Sequence, residues 1–203
     1  MMKRRPIVYV VDDDNAFRDS LALMLRLKGF TAETFASGEA FLANVTEQTQ
    51  GCLLIDMQMG GMTGLAVQQE LVRRRIALPT IVITAYGDVA TARAALKGGA
   101  VDFLEKPLDE EALERIVKTA LEIGAEAAAQ TAAAAELKAR LDRLTDRERE
   151  VLEKVVAGRH NREIAVDLAI SPRTVEVYKA RMMEKLRVNR IPDLIRLVLK
   201  AGL

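Results

Sequence analysis

The residues able to do chemistry in this chain of 203 residues are few, and they fall at regular places. Asp12, Asp13 and Asp14 follow the apolar run Ile7–Val11. Asp56 ends the run 52–56, Thr84 ends Thr80–Thr84, and Lys106-Pro107 follows the run 101–105. Gathered in one place, these would be acidic side chains with a hydroxyl and an ammonium. Clustered carboxylates repel one another unless a cation lies among them, and an oxygen-rich acidic pocket suits Mg²⁺. A carboxylate there can attack phosphorus and become an aspartyl phosphate. Lys106 would offset charge on the phosphoryl oxygens, and Thr84 could hydrogen-bond the group after transfer. Taken singly, each aspartate is more often a cap or a solvated loop residue, and Asp14 reads as the N-cap of a helix. Only the joint pattern points to a site.

Gathering requires parallel strands that end on one edge. Five short apolar runs, Ile7–Val11, Thr31–Phe35, 52–56, Thr80–Thr84 and 101–105, alternate with amphipathic segments near 15–28, 37–45, 63–75, 88–97 and from 109 onward. Lys28-Gly29 and Gly98-Gly99 stop two of the helices, Ser37 and Thr63 can cap two, and Asp88 and Asp109 are placed to cap the next. Near-continuous apolar strands between helices predict an α/β doubly wound parallel five-stranded sheet of the flavodoxin-like kind. In such sheets ligands bind beyond the carboxyl ends of the strands, where the chemical residues fall.

Behind this domain (1–122) lies a segment, 123–141, of almost pure helix formers; 125–136 is Ala-rich without Gly, Ser or Pro. It predicts a helical linker, either a solvated rod or, through small residues at Gly124, Ala127, Thr131 and Ala134, one half of a helix pair. Residues 142–203 then predict an all-α four-helix domain. Thr145 and Glu148 form a capping box before an apolar stripe ending at Gly158, and 161–168 gives a short helix. Ser171-Pro172 starts a third helix, and a fourth runs from about 192 to 201 with Leu194, Ile195, Val198 and Leu199 on one face. The pair at 161–186 has helix-turn-helix spacing. Its second helix carries Arg173, Thr174, Glu176, Lys179, Arg181 and Lys185 outward and Val175, Met182 and Leu186 inward.

The net charge of +1 conceals an asymmetry. Residues 1–139 hold 15 Lys and Arg against 19 Asp and Glu, and residues 140–203 hold 15 against 10. A basic back half fits a polyanion partner, although charged faces usually just meet solvent. The lone cysteine, Cys52, cannot form an internal disulfide, which favours a reducing compartment. Met1-Met2-Lys3-Arg4-Arg5 imitates a signal-peptide start, but the apolar run behind it is too short, and no stretch reaches the length of a membrane span. A cytoplasmic protein without membrane contact is expected.

At Val10-Val11-Asp12-Asp13-Asp14, Leu54-Ile55-Asp56-Met57, Val82-Ile83-Thr84-Ala85 and Lys106-Pro107 the chain resembles the response-regulator receiver family. That resemblance implies phosphorylation of Asp56 by a sensor histidine kinase. It also implies Mg²⁺ held by Asp12, Asp13, Asp56 and the Gln58 carbonyl, with Thr84 and Phe103 as a switch pair and 89–105 as a dimerisation face. Gly60-Gly61 departs from the family, which usually has Pro after Asp56-Met57-Gln58-Met59, and a looser loop is expected. Residues 144–199 resemble the LuxR/FixJ/NarL-type DNA-binding domain through Leu144-Thr145-Asp146-Arg147-Glu148, Glu163-Ile164-Ala165 and Ile170-Ser171-Pro172-Arg173-Thr174-Val175-Glu176. The implication is a major-groove helix at 172–186 and pairing of two chains through 192–201 on double-stranded DNA. Asn161, Arg162, Ser171 and Tyr178 would join the contacts. Arg162 and Tyr178 stand where the family often has Lys and His, and both keep the means to bind phosphate.

Together these features predict a two-component response regulator that dimerises on phosphorylation and binds promoters, with RNA polymerase a further candidate partner. It would accept and slowly lose a phosphoryl group rather than serve as a dedicated enzyme. An aspartate-nucleophile phosphatase is the rival, but it would place a second acid two residues after the nucleophile, where Gln58 stands. A regulator whose helical domain grips a protein instead of DNA is the other.

Overall fold

The computed structural model describes residues 7–85 and 89–200, without the side chains of 89–91 and 200. The described chain divides into two compact units, Met1–Ala129 and Gln130–Leu203. The first is the expected doubly wound sheet: β1 (Ile7–Val11), β2 (Thr31–Phe35), β3 (Gly51–Asp56), β4 (Thr80–Thr84) and β5 (Asp102–Glu105). All pair in parallel, in the order β2-β1-β3-β4-β5. The helices are α1 (Asn15–Leu27), α2 (Gly38–Leu42), α3 (Gly64–Arg73), α4 (Val89–Lys97) and α5 (Glu110–Leu141).

The strands are apolar throughout because both faces are covered. Val8, Val10, Cys52, Leu54, Ile81 and Ile83 pack against Leu21 and Leu25 of α1 and Leu113 and Val117 of α5. The alternate positions, Tyr9, Val11, Leu53, Ile55 and Val82, pack against Phe41 of α2, Val67 and Leu71 of α3, and Ala95 of α4. The strand order reverses beside β1, which leaves the crevice between the ends of β1 and β3 open for a ligand.

Caps behave as their side chains dictate. The Asp14 carboxylate accepts the N–H groups of Ala16 and Phe17, Ser37 that of Ala40, Thr63 that of Ala66, and Asp109 that of Ala112. Asp88, expected to cap α4, lies outside the described residues. The helix expected over 37–45 stops at Leu42, where the Asn44 amide donates to the Ala40 carbonyl and so competes with helix continuation.

In the second unit α6 (Asp146–Val156), α7 (Asn161–Asp167), α8 (Pro172–Leu186) and α9 (Ile191–Lys200) enclose Leu144, Val151, Ile164, Val175, Met182, Leu186, Leu194 and Val198. Leu137 and Leu141 of α5 join that core, whereas residues 129–136 are exposed. Leu199, expected to face inward, is 64% exposed, and Leu197 packs in its place. One residue is 100° of helix, so a stripe through Leu194 and Val198 turns Leu199 toward solvent. Among the described residues, no helix is long and apolar enough to cross a membrane.

Candidate functional site

The carboxyl ends of β1, β3 and β5 bring three expected residues into direct contact. The Lys106 Nζ lies 2.8 Å from Asp12 Oδ2 and 2.7 Å from Asp56 Oδ1. Asp12 and Asp56 are buried, and neither faces the interior without partners. Asp12 Oδ1 accepts the Asp14 N–H at 2.8 Å, and Asp56 Oδ2 accepts the Gln58 N–H at 2.7 Å. Asp13 is exposed, and its Oδ2 accepts the Gly60 N–H at 2.7 Å. Each of the three carboxylates is thus oriented by one backbone amide. Asp14 is engaged in capping α1, as its sequence position suggested.

The backbone around this cluster is closely drawn. A Cβ at Gly64 would lie 2.5 Å from the Asp56 carbonyl oxygen, so α3 can start beside the end of β3 only with glycine there. The loop between them does not hang free: beyond Gly60, the Met62 N–H donates to Glu39 at 3.1 Å. The looser loop expected from Gly60-Gly61 is therefore tied at two points.

Burial dominates the electrostatics of Asp56. Burial pushes its carboxyl above the ordinary aspartate range, and the Lys106 ammonium and Gln58 N–H offset this only in part. Burial alone would lower the pKa of Lys106, but its bonds to Asp12 and Asp56 outweigh that and raise it, so it stays charged. The ring of Phe17 lies 3.9 Å from the Lys106 Nζ, a cation–π contact that no spacing in the sequence signals. Thr84 is buried at the end of β4, where its carbonyl accepts the Lys106 N–H at 2.8 Å. Phe103 is half-buried against the face of the sheet that carries α2, α3 and α4. On the candidate face 89–105, Arg93, Leu96 and Lys97 of α4 and Glu105 of β5 are exposed.

The donor chemistry suits a hard divalent cation: anionic oxygens of Asp12, Asp13 and Asp56, two of them within 2.8 Å of one ammonium that offsets only part of their charge. Among the described residues no three acidic side chains form a preassembled cage. Mg²⁺ ordinarily takes only one or two carboxylates and completes its shell with water and phosphate oxygens.

In the helical unit, α8 has 15 residues, about 22 Å of helix. Ser171 caps it by accepting the Thr174 N–H at 3.1 Å, and Ser171 Oγ and Thr174 Oγ1 lie 2.8 Å apart. Arg173, Glu176 and Arg181 are exposed, as is Arg162 on α7, while Tyr178 is half-buried against the core. Lys179 donates to the Asn161 side chain at 2.9 Å, which ties α8 to the start of α7. Lys185 is engaged as well, because its Nζ bonds the carboxylate of Glu148, itself only 2% exposed. Burial alone would raise the Glu148 pKa. Lys185 and the Thr145 N–H outweigh that and hold it below the ordinary glutamate range. Val177 is 43% exposed on the same helix, and its place four residues after Arg173 is the sequence signal for an outward position.

Comparison with known proteins gives both units relatives. A family model described as "Response regulator receiver domain" matches residues 8–118, and one described as "Bacterial regulatory proteins, luxR family" matches 142–198. Over 195 residues the chain is 43% identical to the transcriptional regulatory protein FixJ of Rhizobium meliloti (strain 1021), covering 96% of each. It is 37% identical over 196 residues to the response regulator protein TodT of Pseudomonas putida, covering 97% of this chain and 86% of TodT. Among solved structures, the response regulator StyR superposes with a TM-score of 0.89 at 37% identity, covering 97% of this chain and 100% of that one. Full-length FixJ from B. japonicum gives 0.58 at 37% identity, with 98% of each chain covered.

Proposed function

Because the chain belongs to the response regulators that join a receiver domain to a LuxR-type helix-turn-helix domain, we propose that Asp56 is its phosphoacceptor and α8 its DNA reader. The chain is a DNA-binding transcriptional regulator controlled through phosphorylation of its receiver, and it accepts a phosphoryl group rather than acting as a dedicated enzyme. The donor is a cognate histidine kinase. The observation that carries the assignment to Asp56 is its place at the end of β3: a buried carboxylate with one oxygen on Lys106 and the other on the Gln58 N–H.

In the proposed transfer, an Asp56 oxygen attacks the phosphorus of a phosphohistidine. The P–N bond breaks, a P–O bond forms, and the imidazole leaves with the electron pair and takes a proton. Lys106 is positioned to follow the negative charge from the carboxylate to the phosphoryl oxygens. Asp12, Asp13, Asp56 and the Gln58 carbonyl would hold Mg²⁺, which when bound supplies positive charge to the same oxygens. Thr84 would accept the transferred group into its hydrogen-bonding range, and Phe103 would turn inward behind it. Dimerisation through 89–105, with Leu96 as an apolar exposed contact, would follow.

On DNA, Arg173, Glu176 and Arg181 supply the base and phosphate contacts of α8, with Arg162, Asn161, Ser171, Thr174, Tyr178 and Lys179 around it. Lys185 differs from Lys179 in that its ammonium bonds a buried carboxylate, Glu148, rather than a neutral amide, and we read it as an internal tie of the helical unit. Pairing through 192–201, contact with RNA polymerase and a cytoplasmic location complete the reading.

The phosphoacceptor is tested by incubating the protein with acetyl phosphate and Mg²⁺. Borohydride then reduces any aspartyl phosphate to homoserine, and the modified residue is mapped by peptide mass. Homoserine at 56 supports the assignment; homoserine at Asp12 or Asp13, or none at all, overturns it.

A further inference from the structure

Two of the three site carboxylates are oriented locally. Asp12 and Asp56 each accept the amide two residues further on, from Asp14 and Gln58, and both share Lys106. Asp13 is different. It is exposed, and the amide that orients it comes from Gly60, 47 positions away, on the loop between β3 and α3. The donor exists only because residue 60 is not proline, which has no N–H. The other end of the loop is held by the Glu39 carboxylate on the Met62 N–H, so the Gly60 amide is presented from an anchored segment.

The bond engages one oxygen of Asp13. A carboxylate offers about four lone-pair sites, so Oδ1 and one lone pair of Oδ2 stay available to a cation. Without the bond, an exposed aspartate samples several side-chain rotamers, and binding an ion would have to select one. We propose that Gly60 is a positioning residue for Asp13: its N–H holds the carboxylate toward the site and strengthens the binding of a divalent cation there. This rests on reading Asp12, Asp13 and Asp56 as the cation's ligands. Groups that orient a metal ligand from outside the coordination shell typically change affinity by about 10–100-fold. The exposed position of Asp13 places the expected effect at the lower end, about tenfold.

The site offers a clean pair of variants. A Cβ at residue 60 would lie 3.6 Å from Asp13 Oδ2, an ordinary contact, so Gly60→Ala keeps both the space and the N–H. Gly60→Pro removes the N–H, while its ring also fixes φ at 60 and restricts Met59, which is why the double variant and the exchange measurement are needed beside it. The affinity of the full-length protein for Mn²⁺ would be measured by electron paramagnetic resonance in wild type, Gly60→Ala, Gly60→Pro, Asp13→Ala and the double variant Asp13→Ala/Gly60→Pro. The Mg²⁺ concentration giving half-maximal phosphorylation by acetyl phosphate would be read in parallel. Expected are Gly60→Ala within about twofold of wild type and Gly60→Pro about tenfold weaker in both readings, with no further loss from Gly60→Pro once Asp13 is Ala. Equal affinities for the Ala and Pro variants would overturn the proposal, as would a proline effect that persists without Asp13. Failure of wild type to bind Mn²⁺ at all would overturn the cation reading and the proposal with it. Amide exchange supplies a measurement independent of the proline variant's folding: the Gly60 N–H is expected to exchange slowly in wild type and faster in Asp13→Ala, and equal exchange rates would count against the bond.

Discussion

The Glu148–Lys185 pair gives the sharpest mutational test of how the helical unit is built. Glu148 is 2% exposed, and its carboxylate binds both the Thr145 N–H and the Lys185 Nζ, joining the start of α6 to the last turn of α8. Lys185→Met keeps the aliphatic stem and deletes the charge. A fully exposed pair is worth about 0–1 kcal/mol, and breaking a fully buried one costs about 3–5 kcal/mol. Here one partner is buried and the other has a side chain 34% exposed, so the expected cost is about 2 kcal/mol. That figure corresponds to roughly thirtyfold faster amide exchange in the most protected part of α8, read by mass spectrometry on peptides covering Val175 to Leu186. The difference is pH-dependent. Glu148 is held below the ordinary glutamate range, so its pairing stabilises fully above an unfolded pKa of about 4.3 and is lost as pH falls through the lower folded value. Wild type and variant should therefore converge in acid. In the same variant the salt dependence of DNA binding should keep its slope, because an internally paired lysine releases no counterion from DNA. Unchanged exchange together with a slope smaller by about 0.9 would refute the reasoning and make Lys185 a phosphate contact.

Other expectations follow from the same geometry. The Asp56 carboxyl, followed by carbon NMR without metal, should titrate above the ordinary aspartate value of about 3.9, and Lys106→Met should raise it further; a downward shift in that variant would contradict the assigned role of Lys106. Since folding raises this pKa, ionised Asp56 costs stability, so the advantage of Asp56→Asn in urea should grow as pH rises above about 4 and level off beyond the folded pKa. Cys52 is fully buried and its thiol is pushed up to about 12, so iodoacetamide at neutral pH should leave it unmodified in the native protein and label it in urea. Arg173→Ala should cost about 1–3 kcal/mol on the preferred DNA and relax one base position. In competition assays, a loss equal on all sequences would instead mark Arg173 as a phosphate contact.

The sheet was legible because both of its covered faces write themselves into continuous apolar strands, and the site because Asp12, Asp13, Asp56, Thr84 and Lys106 fall at or just beyond the carboxyl ends of four of those strands. Ser171-Pro172 and the Thr145–Glu148 box marked two helix starts by local chemistry alone. Contacts between distant positions were not legible. The Gly60 amide on Asp13 spans 47 positions, Lys185 on Glu148 spans 37, and Phe17 meets Lys106 only once the fold is made. The sequence likewise could not show that the Gly60 N–H is held by Asp13 and the Lys185 ammonium by Glu148. In both places residue type was read without knowing which partner already held it. Leu199 was misplaced for a different reason: a run of apolar residues in α9 leaves its inner face uncertain by one position.

On the proposed function, phosphorylation of Asp56 governs sequence-specific DNA binding through α8. The most direct measurement is selection of DNA from a random duplex pool by the full-length protein, with and without Mg²⁺ and beryllium fluoride, a mimic of the aspartyl phosphate. Recovery of a sequence with two half-sites that depends on the mimic and disappears in Asp56→Asn is expected. Equal, salt-sensitive retention of every sequence under both conditions would contradict it.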